Sequence, residues 1–252
     1  MRQALKGGVL LASAVVSVGV VAGCGNDSSS PTGAGTSGAG ASTSSTAVVS
    51  AAAGDPAKVK GLLLTAAQVP AGYAIVPIPE SQIQQSLDQV VDSLHGATVT
   101  PAGCANLQTL PTVSASKVGL LVATSQSKGA LSETLTAIPT DIAEARTKAT
   151  GDCKSFEIDF TSGPAAGSKA SATTTVLTPP ATQVDADDVL ILRQEVSVTN
   201  AGRNTPVTTL TGSASVKGYT VSATANGLSH EPDQAAFEKF FAAAVNRVAA
   251  QA

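Results

Sequence analysis

The sequence predicts an α+β domain in which helices pack on one face of an antiparallel β-sheet. Phe156, Ile158 and Phe160 alternate with charged residues, and a strand with one buried and one solvated face is typical of antiparallel sheets. The predicted elements run helix, two strands, helix, several strands and a final helix, which departs from the strict alternation of a parallel βαβ fold. An apolar stripe along the final helix gives the sheet something to pack against.

The first 24 residues have the pattern of a secretion signal with a lipid attachment site. Arg2 and Lys6 precede an apolar run of about 16 residues, shorter than the roughly 20 of a membrane-spanning helix. The run ends in Val21-Ala22-Gly23-Cys24, the pattern of a bacterial lipobox. We expect residues 1–23 to be removed and the acylated Cys24 to hold the protein on the extracytoplasmic face of the cell membrane. The alternative is an ordinary secretion signal followed by a chance cysteine.

Residues 24–54 predict the lipidated cysteine and a flexible tether. Ser, Thr, Gly and Ala predominate after Cys24, and Asp27 is the only charged residue, as in linkers that behave as random coils. The segment 33–38 matches GxGxxG but lacks the flanking strand and helix of a dinucleotide site, so we interpret it as chance. Residues 55–252 then have a natural length for one domain.

The first half of that domain is predicted to be mainly helical. Asp55-Pro56 predicts a helix start, and residues 65–68 have the form of a capping box that Pro70 ends at once. Residues 75–79 are extended and contain two prolines, which confine them to a sheet edge or a loop. The clearest helix is predicted by apolar residues at helical spacing before Gly96: Ile83, Leu87, Val90, Val91 and Leu94.

Strand patterns predominate from residue 118 onward. Residues 118–124 and 131–138 predict a hairpin, and Asp141 predicts the cap of a helix that ends near Ala149. Later strands are predicted at 155–161, 170–177, 189–199, 206–214 and 219–226. Pro232-Asp233 starts the final helix, whose apolar stripe consists of Phe237, Phe240, Phe241, Val245 and Val248.

Of the three cysteines, one is predicted to carry lipid and the other two are left as a pair. If Cys24 carries lipid, Cys104 and Cys153 remain in an oxidising compartment, and we predict that they form a disulfide. The alternative is a redox or metal-binding pair. It has less support, because neither cysteine belongs to a CxxC motif and His95 and His230 are distant in sequence.

Several kinds of function find no support in the sequence. The net charge is −3 and the fifteen Lys and Arg residues are scattered, which argues against nucleic acid as a partner. We find no GxSxG motif and no acid–base pair, so we predict no enzyme activity, no catalytic residues and no cofactor. The acidic group Asp185, Asp187 and Asp188 lacks the glycine turn and distal Glu of a calcium loop. We interpret it as a solvated loop and predict no metal site.

The layout resembles the extracellular sensor domain of mycobacterial PknH-type serine/threonine kinases and the lipoproteins that share it. Its basis is a Leu-rich segment at 62–65, Cys104 in a turn that follows Pro101, Cys153 at the end of a helix, the alternating strand at 156–160 and the closing helix. The chain departs from the family in lacking a second disulfide and most aromatic residues of the family's cleft. The resemblance implies an α+β domain with a ligand cleft and no catalysis.

Two classes of function therefore stay open. One is a binding or sensor-like module whose cleft takes an apolar envelope molecule. Its predicted lining is Leu87, Val91, Phe156, Phe160, Phe237 and Phe241. The other is a structural or interaction protein that docks to another envelope protein. For any one of the six residues, simple core packing is the alternative interpretation.

Overall fold

A computed structural model describes residues 53–107, 114–180, 183–186, 188–227 and 230–252. The predicted signal peptide, Cys24 and the tether up to residue 52 lie outside the described residues, as does Asp187. The prediction of a lipid anchor and the proposed domain boundaries therefore stay predictions.

Nine strands in the described ranges form one antiparallel sheet, which confirms the α+β class. The order across the sheet is β1-β3-β4-β9-β8-β7-β6-β5-β2. The strands are β1 Ala74–Val76, β2 Ala97–Thr100, β3 Val118–Ser125, β4 Gly129–Thr136, β5 Ser155–Phe160, β6 Lys169–Leu177, β7 Val189–Asn200, β8 Arg203–Val216 and β9 Tyr219–Asn226.

The described residues also form four α-helices: α1 Val59–Leu62, α2 Glu80–His95, α3 Ile142–Thr150 and α4 Gln234–Gln251. Asp141 and Asp233 cap α3 and α4, since each carboxylate accepts a hydrogen bond from a backbone N–H three residues later. None of these helices combines the length and the apolar character needed to cross a membrane.

In the first half, one local prediction is corrected, one strand is absent from the predictions, and one prediction is confirmed. Asp55-Pro56 leads into a turn, and α1 begins only at Val59. β2 was not predicted, because its four residues follow α2 too closely to show an alternating pattern. The capping box is present: Gln68 Oε1 accepts a hydrogen bond from Thr65 N at 3.0 Å.

The helices cover both faces of the sheet, whereas the sequence predicts one. In β7, Val189 and Ile191 pack in the cluster that contains α4. Leu190 and Leu192 pack in a second cluster with α3. Successive strand residues point to opposite faces, so a strand that is apolar on both sides needs a cover on each. We call the side covered by α4 the first face and the side covered by α3 the second face.

Helix α2 crosses the second face. On the first face, α4 extends along the height of β4 and β9, from Asp233, 3.2 Å from Lys128 at the β3–β4 turn, to Ala252, whose carbonyl accepts a hydrogen bond from Lys217 at the β8–β9 turn. Since α2 joins the two edge strands β1 and β2, it passes over the other side. Near the start of α2, the Gln84 side chain accepts a hydrogen bond from the backbone N–H of Ala115 at 2.9 Å. Near the end of α2, the Asp92 carbonyl accepts a hydrogen bond from the Ser162 hydroxyl at 2.9 Å.

Further contacts fix the first described residues and the β2–β5 edge. Asp55 N donates to the Tyr219 hydroxyl at 2.9 Å, and Gly54 N donates to the Gly218 carbonyl at 2.8 Å. The chain therefore enters the domain at the β8–β9 turn. The predicted disulfide is confirmed as a bonded pair: Cys104 and Cys153 join with Cα atoms 5.5 Å apart, inside the second-face cluster.

Candidate functional site: a buried hydroxyl surface beneath α2

The six residues predicted to line a ligand pocket do not lie together. Phe237 and Phe241 stack with ring centroids 6.2 Å apart in the first-face cluster. Phe156 and Phe160 belong to the second-face cluster, so the sheet separates the two pairs. Leu87 and Val91 are half-buried on α2 and belong to neither cluster. The four phenylalanines are core residues, and a pocket shared by all six is not present.

The centre of the second face instead carries polar, uncharged side chains. Thr211 pairs across the sheet with Leu192 and Thr224, and Gln194 pairs with Thr209. Directly paired residues share a face, so the register extends this surface across β4, β9, β8 and β7. We call it the hydroxyl floor. It consists of Ser132, Thr134, Thr136, Gln194, Thr209, Thr211, Ser213, Thr220, Ser222 and Thr224.

Four polar atoms of the hydroxyl floor are buried without a hydrogen-bond partner in the part of the chain that the structure describes. Thr209 and Thr211 are 2% exposed, Gln194 is 3% exposed and Thr136 is 8% exposed. Within the described residues, the three Thr Oγ1 atoms and Gln194 Oε1 accept and donate no hydrogen bond. The large majority of buried side-chain polar atoms in proteins have a hydrogen-bond partner. A concentration of four such atoms on one surface therefore points to a partner that is not part of the described chain.

Other residues of the floor do have partners. Thr220 and Thr140 share a hydrogen bond of 2.8 Å between their hydroxyls. Gln194 Nε2 donates to Thr174 Oγ1 at 3.4 Å. The unpaired atoms are therefore interspersed with paired ones. Gln194 is held by its amide nitrogen, while its carbonyl oxygen has no partner among the described residues.

Burial of the floor decreases toward β3. The residues on β8 are buried, whereas Ser132, Thr134 and Ser222 are half-buried, as are Leu120 and Val122 on β3. Above the floor, α2 presents Ile83, Leu87 and Val91 at i, i+4 and i+8, its less exposed side. We call the boundary between the hydroxyl floor and α2 the cleft; in this structure it is closed at β8, where Thr209 and Thr211 are 2% exposed, and it is least covered beside β3.

The residues of the floor offer hydrogen-bond donors and acceptors, and no acid or base is among them. Hydroxyls and a carboxamide donate and accept hydrogen bonds, but a serine or threonine nucleophile needs an adjacent base. No group of three His, Cys, Asp or Glu residues that could hold a metal occurs in the described ranges. Of the predicted acidic group, Asp188 pairs with Arg146 and Asp185 N donates to Asn246 at 2.8 Å.

A second polar site lies on the first face, where α4 does not reach. This groove has a volume of about 490 Å³ and is lined by Ser171, Thr173, Glu195, Ser197, Thr208 and Glu231, among others. Arg193 Nη2 lies 2.8 Å from Glu231 Oε2 and Nε lies 3.4 Å from Glu195 Oε1. We call this site the far groove, because it lies toward the β7–β8 turn, at the opposite end of β8 from the start of the domain.

One buried carboxyl lies apart from both sites. Glu133, on the first-face side of β4, is 0% exposed. Its Oε2 accepts from Leu64 N at 3.0 Å, while Oε1 has no hydrogen-bond partner in the described chain. Burial raises the pKa of Glu133 from 4.5 to about 7, against the opposing effects of the Leu64 hydrogen bond and the Arg247 charge.

Arg247, on α4, contacts the same segment of chain as Glu133, residues 61–68. Its guanidinium donates to the carbonyls of Gly61 and Leu62 at 3.1 and 3.0 Å and to Gln68 Oε1 at 3.2 Å. These are orphan carbonyls at the end of α1. Glu133 therefore attaches residues 61–68 to the sheet by accepting a hydrogen bond. Arg247 attaches the same residues to α4 by donating hydrogen bonds. The only sequence signal was an acid between Leu131 and Leu135 on an otherwise apolar strand face.

No protein-family model and no curated protein matches the chain. Among solved structures, the chain is similar to the X-ray structure of an uncharacterized protein of Mycobacterium smegmatis, an ortholog of Rv0999. The sequence identity is 18% and the TM-score 0.42, over 79% of this chain and 98% of the other. A likeness of this size says nothing about what the present protein binds.

Proposed function

We propose that the protein is a lipid-anchored, extracytoplasmic binding module that holds a ligand between the hydroxyl floor and α2 without chemical turnover. The observation that carries the proposal is the set of four buried, unpartnered polar atoms on Thr136, Gln194, Thr209 and Thr211. The resemblance to the sensor domain of PknH-type kinases supports a sensor-like role for this cleft.

The energetic cost of the floor supports a bound partner. Leaving a buried hydroxyl or amide oxygen without a hydrogen bond costs about 1–3 kcal/mol. Valine has nearly the shape of threonine and would remove that cost at three of the four positions. A chain that keeps Thr136, Thr209 and Thr211 there gains the hydrogen bonds only when something polar occupies the cleft.

The site of attachment supports a position close to the membrane. The described domain begins beside Tyr219 at the β8–β9 turn, and the predicted tether precedes it. As a random coil, some 30 residues span about 30 Å. The tether would therefore let the domain turn its cleft toward molecules of the envelope while Cys24 stays in the lipid.

A second candidate function is docking to another envelope protein. The far groove favours it, since Glu195 and Glu231 lie on an open polar surface at the end of the sheet opposite the tether. That surface is accessible to a partner, whereas the floor is covered. The two candidates therefore predict binding at different faces of the sheet.

The test of the proposal is native mass spectrometry of the full chain extracted from its own membrane. Leu87→Trp places a bulky ring between α2 and the floor, and Gln85→Trp places the same ring on the exposed side of α2. We expect the wild type and the Gln85→Trp variant to carry a bound ligand. We expect a folded Leu87→Trp variant to have lost it. A wild type without ligand, or a ligand retained by Leu87→Trp, would contradict binding in this cleft.

A further inference from the structure

We infer that the hydroxyl floor binds a neutral polyhydroxylated ligand, a saccharide or polyol, through Gln194, Thr209 and Thr211. The inference rests on the proposed function and specifies its ligand. It differs from the apolar ligand that the sequence favours. It is based on the chemistry of the floor, the absence of charge there and the nature of the roof.

The floor offers both kinds of hydrogen-bonding group side by side. Each threonine hydroxyl donates one hydrogen bond and accepts others, while Gln194 Oε1 only accepts. Thr209 pairs directly with Gln194, and Thr211 lies two residues further along β8. Adjacent strands are about 4.8 Å apart and same-face residues about 6.8 Å apart. Such a grid suits a ligand that presents several hydroxyls along a ring or chain, because each hydroxyl also donates and accepts.

The floor holds no charge that would select an ionic ligand. Its ten residues are serines, threonines and one glutamine. A buried anion or cation needs a counter-charge or a metal ion, and the floor itself supplies none. An apolar ligand would cover the four unpartnered atoms and leave them without hydrogen bonds. A neutral ligand rich in hydroxyls satisfies them.

The roof fits the other side of such a ligand. Ile83 is buried and Leu87 and Val91 are half-buried at consecutive turns of α2. A saccharide ring has hydroxyls at its rim and C–H groups on its faces, so it can bond to the floor with one edge and pack against aliphatic side chains. Ser132 and Thr134, next to β3, are half-buried, so a ligand would enter at this edge of the floor as α2 moves away from it.

The inference is tested by saturation-transfer difference NMR on the full chain in lauryldimethylamine oxide, a detergent without sugar. The neutral probes are maltose, cellobiose, sucrose and sorbitol, and glucose 6-phosphate and 1-hexanol serve as the charged and the apolar comparison. We expect transfer to at least one neutral probe, with a Kd that rises about tenfold or more in Thr209→Val and Thr211→Val. Thr175→Val, an exposed position on β6, is the matched control and should leave the Kd unchanged.

Thermal unfolding of the same variants separates a ligand site from a structural one. If the hydroxyls await a ligand, their isosteric replacement by valine removes an unpaired buried group, so the unliganded Tm stays the same or rises. Transfer to none of the neutral probes, unchanged affinity in both valine variants, or a loss of affinity accompanied by a lower Tm would overturn the inference.

Failure of the inference can be distinguished from failure of the proposed function. If transfer occurs only to 1-hexanol or glucose 6-phosphate and is lost in Leu87→Trp, the cleft binds a ligand of another class, and only the inference fails. If no probe binds and the extracted wild type carries no ligand in native mass spectrometry, both fail.

Discussion

Glu133 accepts a hydrogen bond from the backbone of Leu64, 69 residues earlier in the chain, although its carboxyl is completely buried. The contact joins β4 to the segment that leads from the start of the domain into β1. Because Oε1 has no partner in the described chain, the ionised form of Glu133 is poorly stabilised. The attachment of this segment is therefore sensitive to pH.

We expect the free energy of unfolding to fall as the pH rises through about 7. The pKa of Glu133 is about 7 in the folded protein and 4.5 as its ordinary value, so the folded state holds an extra proton between these values. The stabilisation is complete below pH 4.5 and is lost above pH 7, a change of roughly 3 kcal/mol. Denaturant unfolding at several pH values measures it.

The matched variants for this pH dependence are Glu133→Gln and Glu157→Gln. Glutamine at position 133 stays neutral, so the unfolding free energy of that variant should change less between pH 5 and 8 than that of the wild type. Glu157 is exposed on β5, and its replacement should leave the wild-type profile. A Glu133→Gln profile parallel to that of the wild type would show that Glu133 does not titrate in this range.

Loss of the disulfide should destabilise the domain strongly. Cys104 and Cys153 are 49 residues apart, and closing a loop of that length contributes about 4 kcal/mol in the chain-entropy model. We expect the Cys104→Ser, Cys153→Ser double variant to unfold at much lower denaturant concentration. Peptide mapping without reductant should give one linked pair, and two alkylatable thiols in the native protein would refute the assignment.

Gly212 should tolerate no larger residue. A Cβ atom at this position would lie 2.9 Å from the ring of Phe241, where β8 and α4 pack closely. We expect Gly212→Ala to lower the unfolding free energy by about 1–3 kcal/mol through overpacking. Gly61→Ala, where a Cβ meets no atom within 4 Å, is the control and should be neutral or stabilising. Equal effects of the two substitutions on the unfolding free energy would show that the Phe241 ring moves to make room for the added methyl group.

If Cys24 carries the predicted lipid anchor, the protein is held on the membrane through that residue. Cys24→Ser removes the thiol that would carry the diacylglyceryl group, so the variant should take no label from an acyl-chain analogue and should not be processed to the mature form. Fractionation and metabolic labelling of both proteins measure this. A serine variant that still takes label would exclude Cys24 as the lipidation site.

Much of the fold could be predicted from residue patterns because its elements are locally specified. The caps at Asp141 and Asp233 and the apolar stripe of α4 are short-range signals, and the structure contains both caps and the helix. The face on which each helix packs could not be predicted, because it depends on chain connections between distant strands. For that reason Phe156 and Phe237 were expected in one pocket but lie on opposite sides of the sheet.

The hydroxyl floor was missed for a related reason. Thr209 and Thr211 alternate with Leu210 and Gly212, and such alternation is typical of a strand with one solvated face. Among the described elements, α2 and α3, which come from earlier parts of the chain, lie on that face and help to bury it. A run of threonines flanking apolar residues on three paired strands was the one available signal. It does not distinguish a wet surface from a covered cleft.

The most direct test of the account is a high-resolution crystal structure of the protein extracted from its own membrane. We predict electron density for a bound molecule between α2 and the sheet, within hydrogen-bonding distance of Gln194 Oε1 and of the Thr209 and Thr211 hydroxyls. A structure in which these atoms bond only to one another or to ordered water, with α2 closed onto the sheet, would contradict the proposal that this cleft binds a ligand.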